Sequence, residues 1–285
     1  MEFLIQILNS IQYGLLLFLL ASGLTLVFGI MGVINMAHGS FYMIGAYLAY
    51  WLAKQTGSLW LAIPIGLLIV LLLGVVLESV LFRRLYQRDH LQQVLLTFGL
   101  ILIFEELRSI LFGDEVQGVA IPALLNYSIP LTENLSYPVY RLFVSGTCLV
   151  IAAAMYWVIQ KTRLGMMIRA GSSNRKMVQS LGINVKLLYG LVFAVGLALA
   201  AFAGMIAAPL SSVYPGMGNQ ILIICFVVVV IGGIGSIKGA LVAALMIGIA
   251  DTLGKVFLPE FSGFAVYLLM AVILLWRPQG LFKGA

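Results

Sequence analysis

The chain has 285 residues, 62% hydrophobic and only 9% charged, with a formal net charge of +6. Soluble domains carry about 25% charged residues, so a water-soluble globule is excluded and a bilayer is the fitting solvent. The apolar runs are long and continuous, not alternating segments of about 10 residues, which favours spanning helices over a β-barrel, and the positive excess reads as loop charge rather than as a nucleic-acid surface.

No residue between Phe3 and Ala53 is charged, and these 51 residues suffice for two spans. Glu2 stands where a signal peptide would carry basic charge, and the apolar stretch outruns any signal core, so no signal peptide is expected. The break between the two spans falls at 29–40, rich in Gly and polar side chains, which places helices at about 8–30 and 38–53. Further helices are expected at about 59–81, 91–112, 139–160, 187–208, 219–232, 239–257 and 262–276. The fold class is therefore an all-α polytopic bundle of eight or nine helices with broken segments, built as a single transmembrane domain over residues 1–285. The count depends on whether 29–40 re-enters the bundle and whether the short helix at 219–232 spans.

Charge sets the expected orientation. Arg83, Arg84 and Arg88 follow the third helix, and 161–186 holds six basic residues and no acid, so both segments are expected in the cytoplasm. The 113–138 loop contains Asp114, Glu115 and Glu133 with no basic residue and is expected outside. Counting spans onward puts the C-terminus in the cytoplasm; counting back puts the N-terminus outside.

Few residues invite chemistry. Cys148 and Cys225 lie in apolar runs and read as packing residues. His38 has no second ligand at metal spacing, and no phosphate loop, zinc motif or nucleophile triad is present, so neither an enzyme nor a metal site is expected. Asn35, His38 and Ser40 place polar groups in the first break, and Gly232 and Gly235 mark a second one; these residues line either a translocation path or an ordinary turn. Glu105 lies about 21 Å of helix rise beyond Leu91, so it is a path candidate or half of an outer ion pair with Arg108. Gly32 and Gly232 head a possible repeat, since Gly32-x6-Gly39 and Gly232-x6-Gly239 share one spacing. Glu78 is expected to orient the 83–88 segment, and Asp251 to pair with Lys255. Dense Gly and Ala at 196–204 and 239–244 predict close helix packing.

The 161–186 segment has its own punctuation. Ser172 or Ser173 can cap a helix start, and Gly182 can supply the left-handed residue after its end. Met177, Val178 and Leu181 fall on one apolar face, which predicts an amphipathic helix of about two turns offered to a cytoplasmic partner.

Several segments together resemble the LivH/LivM family of permeases from branched-chain amino acid ABC transporters. They are GLTLVFGIMGVINMAHGS from Gly23 to Ser40, RLGMMIRA from Arg163, LGINV from Leu181, GGIGSIKG from Gly232 to Gly239, and RPQGLF from Arg277. They occur in order over nearly the whole chain. The resemblance implies a prokaryotic inner-membrane import permease that pairs with a second, LivM-type permease. It further implies two cytoplasmic ATPase subunits, which hydrolyse ATP that this chain does not bind, and a periplasmic or lipid-anchored binding protein. Relatives import branched-chain or other amino acids, urea or amides. The 172–182 helix is then similar to the coupling helix that seats in an ATPase groove, and Arg169, Ala170, Gly171, Ser173, Asn174, Arg175, Met177, Val178, Leu181 and Gly182 become the ATPase-coupling residues. Gly171 to Lys176 departs from the Ala- and acid-rich pattern of the family, which bears on individual contacts there.

Overall fold

A computed structural model describes residues 2–85, 88–132, 135–173, 175–180, 182–257 and 259–282. The helices are α1 (Glu2–Met31), α2 (His38–Thr56), α3 (Leu59–Leu77), α4 (Arg83–Leu85), α5 (His90–Phe112) and α6 (Val139–Lys161). They continue as α7 (Arg163–Ser173), α8 (Arg175–Ser180), α9 (Val185–Ala207), α10 (Met217–Gly232), α11 (Ile237–Phe257) and α12 (Ser262–Trp276). Every apolar segment expected to be helical is helical. α1, α3 with its extension to Leu85, α6, α9 and α11 are long and apolar enough to cross a membrane; α10 and the apolar part of α12 are shorter.

α1 is the central post. Every residue from Gly14 to Val27 on it is buried, and an uninterrupted run of this kind marks a helix enclosed by its neighbours rather than one lying on a surface. α11, α9 and α6 pack around it. Small residues set these approaches: a Cβ on Gly14 would lie 2.9 Å from the Ala244 carbonyl oxygen, and one on Gly248 would strike the Ser10 carbonyl. α2 packs on α9 in the same way, with Gly45 against the Ala201 backbone and Gly204 against the Tyr42 carbonyl. Without a hydrophobic force between helices in lipid, such backbone proximity is the main source of association. Cys148 and Cys225 are buried and unpaired, as packing residues should be.

α3 and α4 are joined by a π turn, Glu78–Phe82. Glu78 is buried there and accepts from Arg83 Nη2 at 2.9 Å, which ties the basic 83–88 segment to α3. Between α5 and α6 the loop forms a short antiparallel hairpin of β1 (Ser128–Thr132) and β2 (Leu135–Pro138). Gln117 and Val213 exchange backbone hydrogen bonds of 2.8 Å, so the loop after α9 lies on the same side of the bundle as the acidic loop. Glu133 lies outside the described residues.

Candidate functional site

The first Gly-rich break does re-enter the bundle. His38 begins α2, and its Nε2 hydrogen bonds the Leu20 carbonyl at 3.0 Å. Leu20 precedes the end of α1 by about 16 Å of helix rise, so 32–37 runs back alongside α1. Val33, Asn35 and Ala37 are wholly buried. Non-helical backbone at this depth needs internal partners, and Asn35 supplies two: its Oδ1 accepts from the Ala37 amide at 3.1 Å, and its carbonyl accepts from the His38 amide at 3.3 Å. Asn35 Nδ2 and His38 Nδ1 are buried without a partner. Ser40 is buried in the first turn of α2, and the adjoining Gly39 packs against the Gly218 carbonyl at the start of α10. The structure thus collects Asn35, His38 and Ser40 at one buried helix start that faces another.

The second break is built differently. A Cβ on Gly232 would lie 2.6 Å from the Gly239 carbonyl carbon, so the two glycines of that pair face each other. Gly32, at φ +64°, has nothing around it, so the equal spacing does not produce equal structure. Gly235 is left-handed, at φ +81°, and lies against Gly29 of α1. The C-terminal segment closes over this turn. The Leu281 and Phe282 amides donate to the Ile231 and Gly232 carbonyls at 2.8 and 3.2 Å, satisfying acceptors that the end of α10 would otherwise leave open. Gly280, at φ +81°, makes the turn that brings them there.

The segment between α6 and α9 is more helical than expected. α7 starts at Arg163, capped by Thr162, whose Oγ1 accepts from the Gly165 amide at 3.2 Å and donates to the Val158 carbonyl at 2.6 Å. Ser172 is not a cap: it lies inside α7 and its hydroxyl donates to the Arg169 carbonyl at 2.8 Å. Ser173 ends α7, and α8 starts at Arg175. Asn174 and Leu181 lie outside the described residues, as do the side chains of Ser173 and Arg175. Gly182 takes the expected left-handed conformation at φ +81°. The Gly182 amide donates to Gln179 at 3.0 Å and the Ile183 amide to Val178 at 3.3 Å, a Schellman end to α8. Asn184 then caps α9 through the Leu187 amide at 3.1 Å.

One expectation about this segment is corrected. Met177 and Val178 do not share an outward face: Met177 is 61% exposed while Val178 is 2% exposed. Neighbours on a helix differ by about 100°, and the apolar side facing α9 captures Val178, which clusters with Leu26, Ile30, Met155, Val185 and Tyr189. Arg169 is partly buried, and its Nη1 donates to the Ile159 carbonyl at the end of α6. Ala170 packs against the Val178 cluster, and the buried Gly171 faces Leu188. The segment is therefore a rigid elbow seated on α1, α6 and α9, with Met177 outward. Gly165 permits the seating, because a Cβ there would collide with the Ile159 and Val158 carbonyls. Gly165→Val is expected to destabilise the elbow by about 2 kcal/mol, read as lost amide protection across α7 with the bundle helices unchanged.

Glu105 belongs to neither break. It sits near the far end of α5 and accepts from Arg108 Nη2 at 3.3 Å, while Arg108 Nη1 donates to Asp114 Oδ1 at 2.7 Å and to the Gly113 carbonyl at 2.9 Å. The Arg108 hydrogen bond, followed by that of Ser109, holds the Asp114 carboxyl below its usual range. Asp251 and Lys255 form the expected pair at 2.6 Å. No metal-binding group exists among the described residues.

Sequence comparisons agree with one another. The family described as "Branched-chain amino acid transport system / permease component" matches residues 6–275. The chain is 31% identical to the high-affinity branched-chain amino acid transport permease LivH of Escherichia coli K12, over 98% of this chain and 95% of that one. It is 30% identical to BraD of Pseudomonas aeruginosa, a permease of the same description, with the same coverage. Both are transport permeases, not enzymes. Among solved structures, PsaBC from Streptococcus pneumoniae in complex with Fab superposes with a TM-score of 0.50 at 12% identity, covering 94% of this chain and 89% of that one, a likeness of fold.

Proposed function

Because this chain belongs to the branched-chain amino acid transport permease family, we propose that it is one transmembrane permease domain of an ATP-driven importer of branched-chain or related amino acids in a prokaryotic cytoplasmic membrane. It works with a LivM-type permease, two ATPases and a substrate-binding protein. Nine helices cross or enter the membrane, α2 starting part-way through it, with the N-terminus outside and the C-terminus in the cytoplasm.

The observation that carries the reading is the rigid elbow. α7 and α8 rest on α1 and α9, and α1 and α9 enclose the re-entrant Asn35–His38 segment. Movement of an ATPase groove against Met177 is thereby transmitted as a tilt of the two helices that hold the buried break. Gly182, Arg175 and the rest of the elbow set where that groove engages, and Asn35, His38 and Ser40 lie where access alternates. Glu105 and the acidic loop are a docking surface for the binding protein, with the Arg108 network fixing the loop root.

The test is reconstitution in proteoliposomes with the partner permease, ATPases and binding protein. ATP-dependent leucine uptake that disappears when either the ATPases or this chain is omitted is the expected result. Uptake by this chain alone down a gradient would overturn the reading in favour of a stand-alone transporter.

A further inference from the structure

Four of the sequence segments singled out above meet around one cavity of about 320 Å³, on the face of the bundle that carries the basic elbow. Thr25 and Gly29 come from α1, Arg169 and Ser172 from α7, Ser236 and Lys238 from the start of α11, and Phe282 from the C-terminal segment. Its polar lining is one-sided in charge: two cations and no carboxylate among the described residues. The first turn of α11, a helix of 21 residues, adds its positive end, with Ser236 Oγ occupied in capping the Gly239 amide at 3.1 Å. Thr25 adds an unsatisfied buried hydroxyl at the wall. It is 1% exposed, it lines the cavity, and its Oγ1 has no hydrogen-bond partner. A threonine hydroxyl in a helix normally donates to a carbonyl one turn back; this one does not.

Apart from Gln160 and the Tyr156 ring, the rest of the wall is apolar. Leu26, Ile30, Ile159, Ile168 and Ile237 also line it, and Tyr156 and Trp157 of α6 are 50% and 61% exposed. Lys238 Nζ stands 5.7 Å from the centre of the Tyr156 ring, so the cation and the interfacial aromatic mark the same depth. An amino acid zwitterion would leave its ammonium beside two cations with no carboxylate to receive it. A phosphate diester with an attached chain matches both the charge and the apolar wall.

We propose that this cavity binds the headgroup phosphate of an anionic phospholipid, with the acyl chains lying along the exposed face of α6. Lys238, Arg169, Thr25 and the α11 start hold the phosphate; Ile159 and Ile168 meet the glycerol end. Since Arg169 and Ser172 belong to α7, the lipid braces the elbow against α6 and α11. The inference rests on the membrane reading alone; failure of the complete unaltered assembly to show ATP-dependent uptake, with lipid selectivity intact, would overturn the proposed function and leave this site standing.

The experiment is native mass spectrometry of the full-length chain released from detergent with equal amounts of phosphatidylglycerol and phosphatidylcholine. The expected result is a phosphatidylglycerol preference of about fivefold that falls toward parity in Lys238→Gln and persists in Lys238→Arg. Thr25→Val, close in shape, tests the hydroxyl by the same ratio and is expected to lower it. Equal retention of the two lipids by the unaltered chain, or an unchanged preference in Lys238→Gln, overturns the proposal. Displacement of phosphatidylglycerol by millimolar inorganic phosphate, with a phosphate adduct in its place, overturns it in favour of a soluble anion.

Discussion

Val178→Asp is expected to release α8 from the bundle without unfolding the bundle, whereas Met177→Asp is expected to leave α8 seated and abolish ATPase engagement. The two side chains are adjacent, yet one is 2% exposed and the other 61%. An Asp at 178 puts an unpaired carboxylate against Leu26, Ile30 and Tyr189, a cost of about 4 kcal/mol. α8 has only six residues and no stability of its own, so opening locally is cheaper than losing the core. The checking measurement is hydrogen exchange at the Gly182 and Ile183 amides, whose partners are Gln179 and Val178. Protection should fall roughly a thousandfold in Val178→Asp and stay unchanged in Met177→Asp. Co-purification of the ATPases should be lost in both. Retention of the ATPases by Met177→Asp would sink the assignment of the outward face of α8, and full protection in Val178→Asp would sink its inward seating.

The second large effect is expected at the α2–α9 crossing. Gly45→Val places a branched side chain where even a Cβ would overlap the backbone of Ala201. Backbone cannot rotate away as a side-chain tip can, so the helices must separate, and the bundle is expected to lose about 3 kcal/mol. Gly146→Ala is the control. It lies inside α6 with nothing within 4 Å of its would-be Cβ, so it is expected to be neutral or to stabilise by up to about 1 kcal/mol, through reduced freedom of the unfolded chain. Thermal melting of the purified protein in one detergent compares them. A Gly45→Val protein melting with the unaltered chain would show that α2 and α9 are not held at backbone distance.

Much of the glycine pattern could be read in advance. Gly and Ala at 196–204 and 239–244 predicted close packing, and Gly196, Gly204 and Gly239 each meet backbone or a branched side chain of another helix. The left-handed turn at Gly182 was also legible, because it depends on four or five consecutive residues. The Glu78–Arg83, Glu105–Arg108 and Asp251–Lys255 pairs were visible for the same reason, each being within about one turn of chain.

The sequence by itself determined that the chain lives in a membrane, where its helices lie, and which family it resembles, since these follow from local composition, runs of about 20 apolar residues and ordered short motifs. Only the tertiary structure decided which way a side chain faces. Met177 and Val178 look equivalent in an apolar stripe, and the position of α9 separates them. Likewise the 29–40 break reads equally as a turn or a gate, and only the bond from His38 to Leu20 shows that it turns back into the bundle. The cavity under the elbow belongs to the same class of fact. Its cations and its unpartnered threonine come from segments about 70 to 210 residues apart, and nothing local in any of them foretells that they meet. In a protein whose helices are apolar on every side, direction is set by what packs where, and that is information the sequence carries only through the fold.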